Sequence, residues 1–220
     1  MRITNDAKQA TRRRILDAAR RLFGRDGFDG AATRDLAREA GIAAGTLFNY
    51  FPTKEAVAMS LTAEALDEAR VSYERKRRDE ESLEEDLFAF IAAGLRSLKP
   101  VRGCLRPVLE GALSPLADAS EGESLRTGHL ETVGAILTRH GQEEPAAPIM
   151  HLYWTLYTGV LAFWLGDASP HQEDTLAVLD QALKMFVHSL PPANQSTPST
   201  PKETSHESQP RGAARRSADG

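Results

Sequence analysis

Residues 33–54 carry the polar side chains of this sequence that are best suited to contact a partner molecule. Thr33 and Thr46 carry hydroxyl groups, Asn49 carries an amide, and Lys54 carries an ammonium group. Such groups on helix surfaces form hydrogen bonds with the phosphate oxygens and base edges of nucleic acids. The pattern therefore favours binding to an anionic polymer.

Catalysis finds no support elsewhere in the chain. The sequence lacks a glycine-rich phosphate loop, a paired-histidine metal spacing and a nucleophile elbow. His129 and His140 share a predicted helix but have no nearby carboxylate partners, and Cys104 is the only cysteine, which excludes a Cys-rich metal site. We expect no enzymatic activity, no cofactor and no bound metal.

Two short helices joined by a glycine turn must position the polar side chains. The first helix is expected to begin at Thr33, a good N-cap residue, and to end at Gly41, whose positive φ permits a tight turn. The second runs to about Tyr50, and the small residues Ala44 and Gly45 at its start allow its backbone to come close to a partner surface. This arrangement predicts a helix-turn-helix.

Each of these features also has a purely structural alternative. Phe48 and Tyr50 could be aromatic core residues, and Lys54 could be a solvated surface lysine. Two short helices around a glycine occur in many helical proteins. The ordered string of features is more informative than any one of them.

That ordered string resembles the signature of the tetracycline-repressor (TetR) family of regulators. The match runs from about Arg12 to Ala58 and centres on residues 33–56, TRDLAREAGIAAGTLFNYFPTKEA. The resemblance implies a three-helix DNA-binding head, a homodimer, and a helical body whose ligand alters the affinity for DNA.

The resemblance also implies roles for individual residues of the head. Phe48 departs from a position that is very often tyrosine in this family, so its contact would be apolar, for example with a thymine methyl group. Lys54, at the N-terminus of the fourth helix, would contact a phosphate. The DNA-contact residues implied in this way are Thr33, Arg34, Ala44, Gly45, Thr46, Phe48, Asn49, Tyr50 and Lys54.

Apolar residues recur at helical spacing along most of the chain. Within residues 12–26, for example, Ile15, Ala19, Leu22 and Phe23 fall on one face. No strand-like alternation and no internal repeat is present, so we predict an all-α fold. A further helix is expected at 54–78, with Thr53 as its N-cap residue. The remaining helices are expected at 82–98, 104–118, 121–140, 147–166 and 171–190.

The stretch 149–166 is the richest in aromatic residues, and two interpretations of it stay open. In the first, it forms a dimer interface together with helix 171–190, whose apolar stripe is Leu176, Leu179, Leu183 and Phe186. In the second, one side of it lines a pocket for a small, largely apolar molecule. The candidate ligand-binding residues are Cys104, Arg106, His129, His151, Tyr153, Trp154 and Tyr157.

Charge is distributed unevenly along the 220 residues, whose formal net charge is -4. Residues 1–60 carry 11 basic and 7 acidic side chains, whereas residues 61–190 carry 12 and 21. A basic head on an acidic body suits contact with a polyanion. No apolar run is long enough to span a bilayer and the N-terminus lacks a signal-peptide core, so we expect a cytoplasmic protein without a membrane partner.

Four segments are therefore predicted: a flexible N-terminus 1–10, a helix-turn-helix DNA-binding domain 11–57, a helical ligand-binding and dimerisation domain 58–190, and a disordered tail 191–220. The partners expected are double-stranded operator DNA, a small-molecule effector and a second copy of the chain. The favoured function is a ligand-responsive transcriptional regulator, most simply a repressor released from its operator by a small molecule. The alternative is a helical ligand-binding or scaffold protein that does not bind operator DNA.

Overall fold

The computed structural model describes residues 5–78, 81–111, 119–142 and 145–191, with the side chains of residues 119–124 excepted. Within these ranges the fold is all-α, which confirms the predicted class. The expectations for residues 1–4 and for nearly all of the tail, 192–220, lie outside the described residues. The helices are α1 (Asn5–Gly30), α2 (Thr33–Glu39), α3 (Ala44–Tyr50), α4 (Lys54–Lys76), α5 (Leu83–Leu98), α6 (Leu105–Gly111), α7 (Ala119–Arg139), α8 (Ala147–Gly166) and α9 (Glu173–His188), with 3-10 segments at Lys99–Cys104 and Pro170–Gln172.

The first helix buries the apolar face that its spacing predicts, including Ile15 and Leu22. At Gly27 the backbone takes a φ of 73°, which turns Phe28 back until its ring centroid lies 5.4 Å from that of Phe23. The helix begins at Asn5, within the segment expected to be flexible, and so is longer at its N-terminus than its apolar pattern indicates.

The prediction that Thr33 caps α2 is wrong. Ala32 occupies the N-cap position in an extended conformation and supplies no side-chain hydrogen bond, so that Thr33 is the first helical residue. The start of α2 depends instead on tertiary packing, because Ala31 and Leu36 on either side of it are buried in the core. The expected turn after α2 is present, with a φ of 66° at Gly41.

A single long helix, α4, connects the head to the body. Thr53 caps it as expected, since its Oγ1 accepts a hydrogen bond from the amide of Ala56 at 3.0 Å. Val57 and Leu61 pack in the head, and the helix then lies along α5. The proposed boundary at residues 57 and 58 therefore falls within a continuous helix.

The segment predicted as a helix over 104–118 differs in the structure. Its first residue, Cys104, ends the 3-10 segment Lys99–Cys104, and α6 follows over Leu105–Gly111. The expectation for residues 112–118 lies outside the described residues. This 3-10 segment packs on α1, where a Cβ atom on Gly103 would lie only 3.0 Å from the carbonyl oxygen of Phe23. Close packing on the head accounts for the tighter helix here.

The apolar stripe of α9 does not form the free face that the sequence suggests. Leu179, Leu183 and Phe186 are buried within the same chain, because α9 packs on α5 and α8. Of the stripe, only Leu176 is substantially exposed, at 37%. The large apolar side chains that α8 and α9 leave exposed are Leu152, Phe163, Leu176, Val178 and Met185.

No described helix is both long enough and apolar enough to cross a membrane.

Candidate functional site

The recognition unit of the head consists of α2 and α3. Leu36 and Ala37 on α2 and Leu47 on α3 are buried, which holds the two helices against α1. This anchoring directs the remaining side chains of α3 outward. Of the predicted DNA-contact residues, Arg34, Ala44, Gly45, Phe48 and Asn49 are exposed, whereas Thr33, Thr46, Tyr50 and Lys54 are half-buried.

Phe48 is the most conspicuous residue on this surface. Its side chain is 49% exposed on a helix of seven residues, although the rest of the head buries its large apolar groups well. Tyr50, by contrast, packs partly against the core. The alternative that these aromatic residues belong to the core is therefore excluded for Phe48 and holds in part for Tyr50.

Lys54 has a structural role that the sequence does not reveal. Its Nζ donates hydrogen bonds to the carbonyl oxygens of Phe28 at 2.7 Å and Ala31 at 3.2 Å, and lies 4.1 Å from the centre of the Phe28 ring. The ammonium group thus links the start of α4 to the end of α1 and the residue that follows it. These two hydrogen bonds leave one N–H donor of the ammonium group free. Its contact with a phosphate stays a prediction.

Most arginines of the head are held in internal ion pairs. Arg12 and Arg20 both approach Glu64 on α4 at 3.4 Å, and Arg21 donates to Glu39 at 3.0 Å. Arg38 pairs with Asp35 within α2. Four other cations make no ion pair with any described residue, namely Lys8, Arg13, Arg14 and Arg34.

Three of these unpaired cations lie on the first turns of α1 and were missed as candidates. The guanidinium of Arg12 stacks 5.4 Å above the ring of Phe51, which directly follows α3. The N-terminal turns of α1 therefore lie beside the carboxyl end of α3. The run Arg12-Arg13-Arg14 was the available sequence signal.

A cavity of about 110 Å³ lies in the body between α4, α5, α7 and α8. Its walls are mostly apolar, and Asp67 and Arg70 form its exposed rim, 3.8 Å apart. Of the predicted ligand-binding residues, the structure brings only His129 and Tyr157 to this cavity. The other residues that line it are Ala63, Leu66, Ala69, Phe90, Ile91, Gly94, Leu125, Gly128 and Thr132.

His129 is the polar centre of an aromatic cluster behind the cavity. Its Nε2 lies 2.9 Å from the hydroxyl of Tyr153, and its ring stacks on that of Tyr157 with centroids 4.0 Å apart. Burial lowers the pKa of His129 from its usual 6.5 to about 3, so the imidazole is neutral. Burial likewise raises the pKa of Tyr157 above its usual range.

The other ligand-binding candidates lie elsewhere. Cys104 is fully buried beneath the head, where its thiol donates to the Val101 carbonyl at 3.2 Å and burial raises its pKa to about 12. Arg106 is exposed and pairs with Glu110, and His151 is exposed beside Arg126. Tyr153 and Trp154 are buried and do not line this cavity.

A second polar cluster joins the far ends of α4, α5 and α7. Tyr73 donates a short hydrogen bond to the buried carboxylate of Asp86, which Arg139 approaches at 3.3 Å and His140 Nε2 at 3.0 Å. The expectation that His140 lacks a carboxylate partner is therefore wrong, because α5 brings Asp86 to it from 54 positions away in the chain. Burial opposes ionisation of Asp86, but the hydrogen bonds from Tyr73, His140 and Arg139 outweigh it and lower its pKa. The cluster fixes α7, which lines the cavity, to the end of α4.

The match to a known protein family lies in the head and the start of α4. The family described as bacterial regulatory proteins, tetR family, matches residues 15–61. Residues of this chain are 38% identical over 63 positions to the HTH-type transcriptional repressor Rv1474c of Mycobacterium tuberculosis, and 40% identical over 53 positions to the HTH-type transcriptional regulator UidR of Escherichia coli. These matches cover 29% and 24% of this chain, and only 34% and 27% of the relatives' own lengths.

Solved structures share the fold of the whole chain at low sequence identity. A TetR transcriptional regulator from Rhodococcus sp. RHA1 has a TM-score of 0.66 at 20% identity, covering 84% of this chain and all of that one. Thermus thermophilus FadR, solved in complex with lauroyl-CoA, has a TM-score of 0.65 at 21% identity, covering 86% and 100%. At this identity the likeness establishes the architecture of the body and leaves its ligand open.

Proposed function

We propose, from the match of residues 15–61 to the tetR family of bacterial regulatory proteins, that this protein is a ligand-responsive, DNA-binding transcriptional regulator. Its simplest mode is that of a repressor released from its operator by a small molecule. The observation that carries the proposal is α3, whose buried Leu47 anchors the helix while Phe48 and Asn49 stand free at the surface.

Phosphate and base contacts fall to different residues in this proposal. Arg34, with Lys8, Arg13 and Arg14 on α1, supplies the unpaired positive charge that positions the head on the DNA backbone. Thr46 and Asn49 offer hydrogen-bonding groups to base edges, and Phe48 offers an apolar surface to a thymine methyl group. The paired arginines fold the head and contribute less to the DNA-facing charge.

A homodimer would present two such heads to one operator. The apolar side chains that α8 and α9 leave exposed would be covered by a second copy, with Gly159 allowing close approach between helices. Two recognition helices in successive major grooves lie about 34–36 Å apart, so we expect an inverted-repeat operator.

The effector would bind in the body cavity. The cavity touches α4, which begins in the head, and α7, which the Asp86 cluster fixes to the end of the same helix. A ligand that separates α4 from α7 would therefore shift the helix that carries Lys54 and the head. A repressor of the same fold, Thermus thermophilus FadR, was solved in complex with lauroyl-CoA, which is in keeping with a small-molecule ligand for this protein.

The direct test is binding of the purified protein to fluorescent duplexes from the region upstream of its own gene, measured by anisotropy. We expect one duplex to bind more tightly than its scrambled sequence by a factor of at least about 10³ at physiological salt. Equal affinity for the native and scrambled duplexes would contradict the proposal and favour a helical ligand-binding or scaffold protein.

Two variants of the head separate phosphate contact from folding. Arg34→Gln should weaken binding to all duplexes and reduce the salt dependence by about two counterions per dimer, while the melting temperature stays unchanged. Lys54→Met should instead lower the melting temperature, because the carbonyl oxygens of Phe28 and Ala31 lose a charged donor. If Lys54→Met leaves stability intact and reduces the salt dependence, Lys54 is a phosphate contact, as the sequence predicts.

A further inference from the structure

We infer that the body cavity binds an uncharged, mainly apolar molecule about the size of one six-membered ring, whose carbonyl oxygen accepts hydrogen bonds from His129 and Tyr157. Ketones, lactones and esters belong to this class. The inference rests on the proposed effector role of the cavity, and it names the kind of effector.

The protonation state of His129 follows from its neighbour. The hydroxyl of Tyr153 is fully buried and makes one hydrogen bond among the described residues, to Nε2 of His129 at 2.9 Å. A buried hydroxyl that did not donate its proton would leave that donor unsatisfied. Tyr153 therefore donates, Nε2 accepts, and the single proton of the neutral imidazole is on Nδ1.

Two hydrogen-bond donors are then left over at the cavity wall. Neither Nδ1 of His129 nor the hydroxyl of Tyr157 has a hydrogen-bond partner among the described residues, although the two side chains are 8% and 4% exposed. The third polar group of the inner wall, the hydroxyl of Thr132, already donates to the Gly128 carbonyl at 3.0 Å. A ligand atom that satisfies both free donors is an acceptor with two lone pairs, such as a carbonyl oxygen.

Charged ligands are disfavoured because the inner wall carries no counter-ion. Burial keeps His129 neutral, with its pKa lowered to about 3. Asp67 and Arg70 at the rim are 77% and 53% exposed and face each other at 3.8 Å. A carboxylate or ammonium group inside would lose its hydration without gaining a partner of opposite charge.

The volume sets the size of the ligand. The cavity measures about 110 Å³, and its mostly apolar wall includes Leu66, Phe90 and Ile91. An apolar protein cavity of about 150 Å³ accommodates benzene. The cavity of this protein is smaller than that, so its ligand is no larger than about one ring, and part of the ring extends towards the exposed rim formed by Asp67 and Arg70.

The test uses cyclohexanone, with cyclohexylammonium as a charged analogue that has the same number of heavy atoms. Cyclohexanecarboxylate is the second charged analogue, and uncharged cyclohexanecarboxamide, which has the same size, controls for its larger volume. Calorimetric titration of the full-length protein without DNA should show cyclohexanone binding at one site per chain, more tightly than either charged analogue. Absence of cyclohexanone binding, or equal or tighter binding of a charged analogue, overturns the inference. Because no DNA is present, this result is independent of whether the protein binds an operator.

Tyr157→Phe isolates the hydrogen bond. It should weaken cyclohexanone binding about fivefold, as loss of one neutral hydrogen bond does, and should shift the infrared carbonyl band of bound ¹³C-labelled ketone towards the value for the free ketone. Thr158→Val is the matched control, because it removes a buried hydroxyl one position along α8 that donates to the Trp154 carbonyl and does not line the cavity. An unchanged carbonyl band in Tyr157→Phe overturns the assignment of Tyr157.

Nitrogen NMR tests the assignment of His129 without a substitution. The ¹⁵N shifts of its ring in the wild-type protein should show a neutral imidazole with the proton on Nδ1. A ring protonated on Nε2 would present an acceptor to the cavity and would overturn the ligand class.

Discussion

At the scale of single residues, burial decides what the polar groups of the body can do. His129 lies among Phe90, Tyr153, Trp154 and Tyr157, and its only hydrogen bond among the described residues is to the Tyr153 hydroxyl. A histidine in such surroundings is a neutral hydrogen-bonding group and carries no charge that would attract an anionic ligand. The same burial makes it a measurable source of pH-dependent stability.

We predict that acidification destabilises the protein partly through His129. Between pH 6.5 and about 3 the unfolded chain binds a proton on this residue that the folded chain does not, so stability falls as the pH falls through this window. Lowering the pH from 7 to 5 should cost about 2 kcal/mol from this one group. Urea unfolding of the wild type and of His129→Gln at both pH values measures it.

The glutamine variant keeps an acceptor for Tyr153 and cannot titrate. Its loss of stability on acidification should therefore be smaller than that of the wild type by about the same 2 kcal/mol. The other five histidines are common to both proteins and cancel in the difference. An identical pH dependence in the two proteins would show that His129 is accessible to protons in the folded state.

At the scale of secondary-structure elements, the 3-10 segment Lys99–Cys104 connects the body to the head. Arg102 donates hydrogen bonds to the carbonyl oxygens of Trp164 at 2.5 Å and Asp167 at 2.8 Å, which closes the carboxyl end of α8. The next residue, Gly103, lies against the backbone of Phe23 in α1. Arg102 thus contacts the body, and its neighbour Gly103 contacts the head.

We predict that Gly103→Ala destabilises the protein by about 1–3 kcal/mol, as inserting a carbon atom into a close-packed contact does. The added Cβ would lie 3.0 Å from the Phe23 carbonyl oxygen, so the segment or α1 must move. Gly134→Ala on α7 is the control, since no heavy atom lies within 4 Å of its Cβ position. Denaturant unfolding of both variants distinguishes a packing effect from a general effect of glycine replacement.

The control variant should be neutral or more stable, because alanine is favoured over glycine within a helix. Equal stability of Gly103→Ala and the wild type would mean that the 3-10 segment can move away from α1 without a loss in the free energy of unfolding. The segment would then be a loose connection between head and body.

At the scale of the whole molecule, the exposed apolar side chains favour α8 and α9 as the surface for the proposed dimer. Most of the large apolar side chains that are exposed among the described residues lie on α8 and α9. The two others are Phe48, on the proposed DNA-binding surface, and Val71 on α4. Met185 on α9 is 62% exposed and Phe163 on α8 is 44% exposed. A dimer would remove this surface from water.

We predict that Met185→Glu weakens the dimer, because a charge would have to be buried in an apolar interface. Sedimentation at micromolar concentration should give twice the chain mass of 24.0 kDa for the wild type and a larger monomer fraction for the variant. Val71→Glu is the matched control, since Val71 is 60% exposed on α4. A monomeric wild type, or an equal effect of the two variants, would rule out this interface.

The sequence alone determined the features that depend on neighbours along the chain. Helical spacing gave the all-α class and the buried face of α1, and Gly41 indicated the turn of the helix-turn-helix because its positive φ is a local requirement. Thr53 was likewise identified as a cap, since its partner Ala56 lies three residues away. The unpaired arginines of α1 were visible in the sequence but could not be told from the paired ones.

Contacts between residues that are far apart in the chain could be found only from the packing of the helices. Lys54 binds the carbonyl oxygen of Phe28, 26 positions away, and His129 meets Tyr153, 24 positions away. The stripe of α9 is apolar whether it faces its own core or a partner, so periodicity could not choose between them. Such choices depend on how whole helices pack, because a side chain's spacing sets its face on the helix and the neighbouring helices set what that face meets.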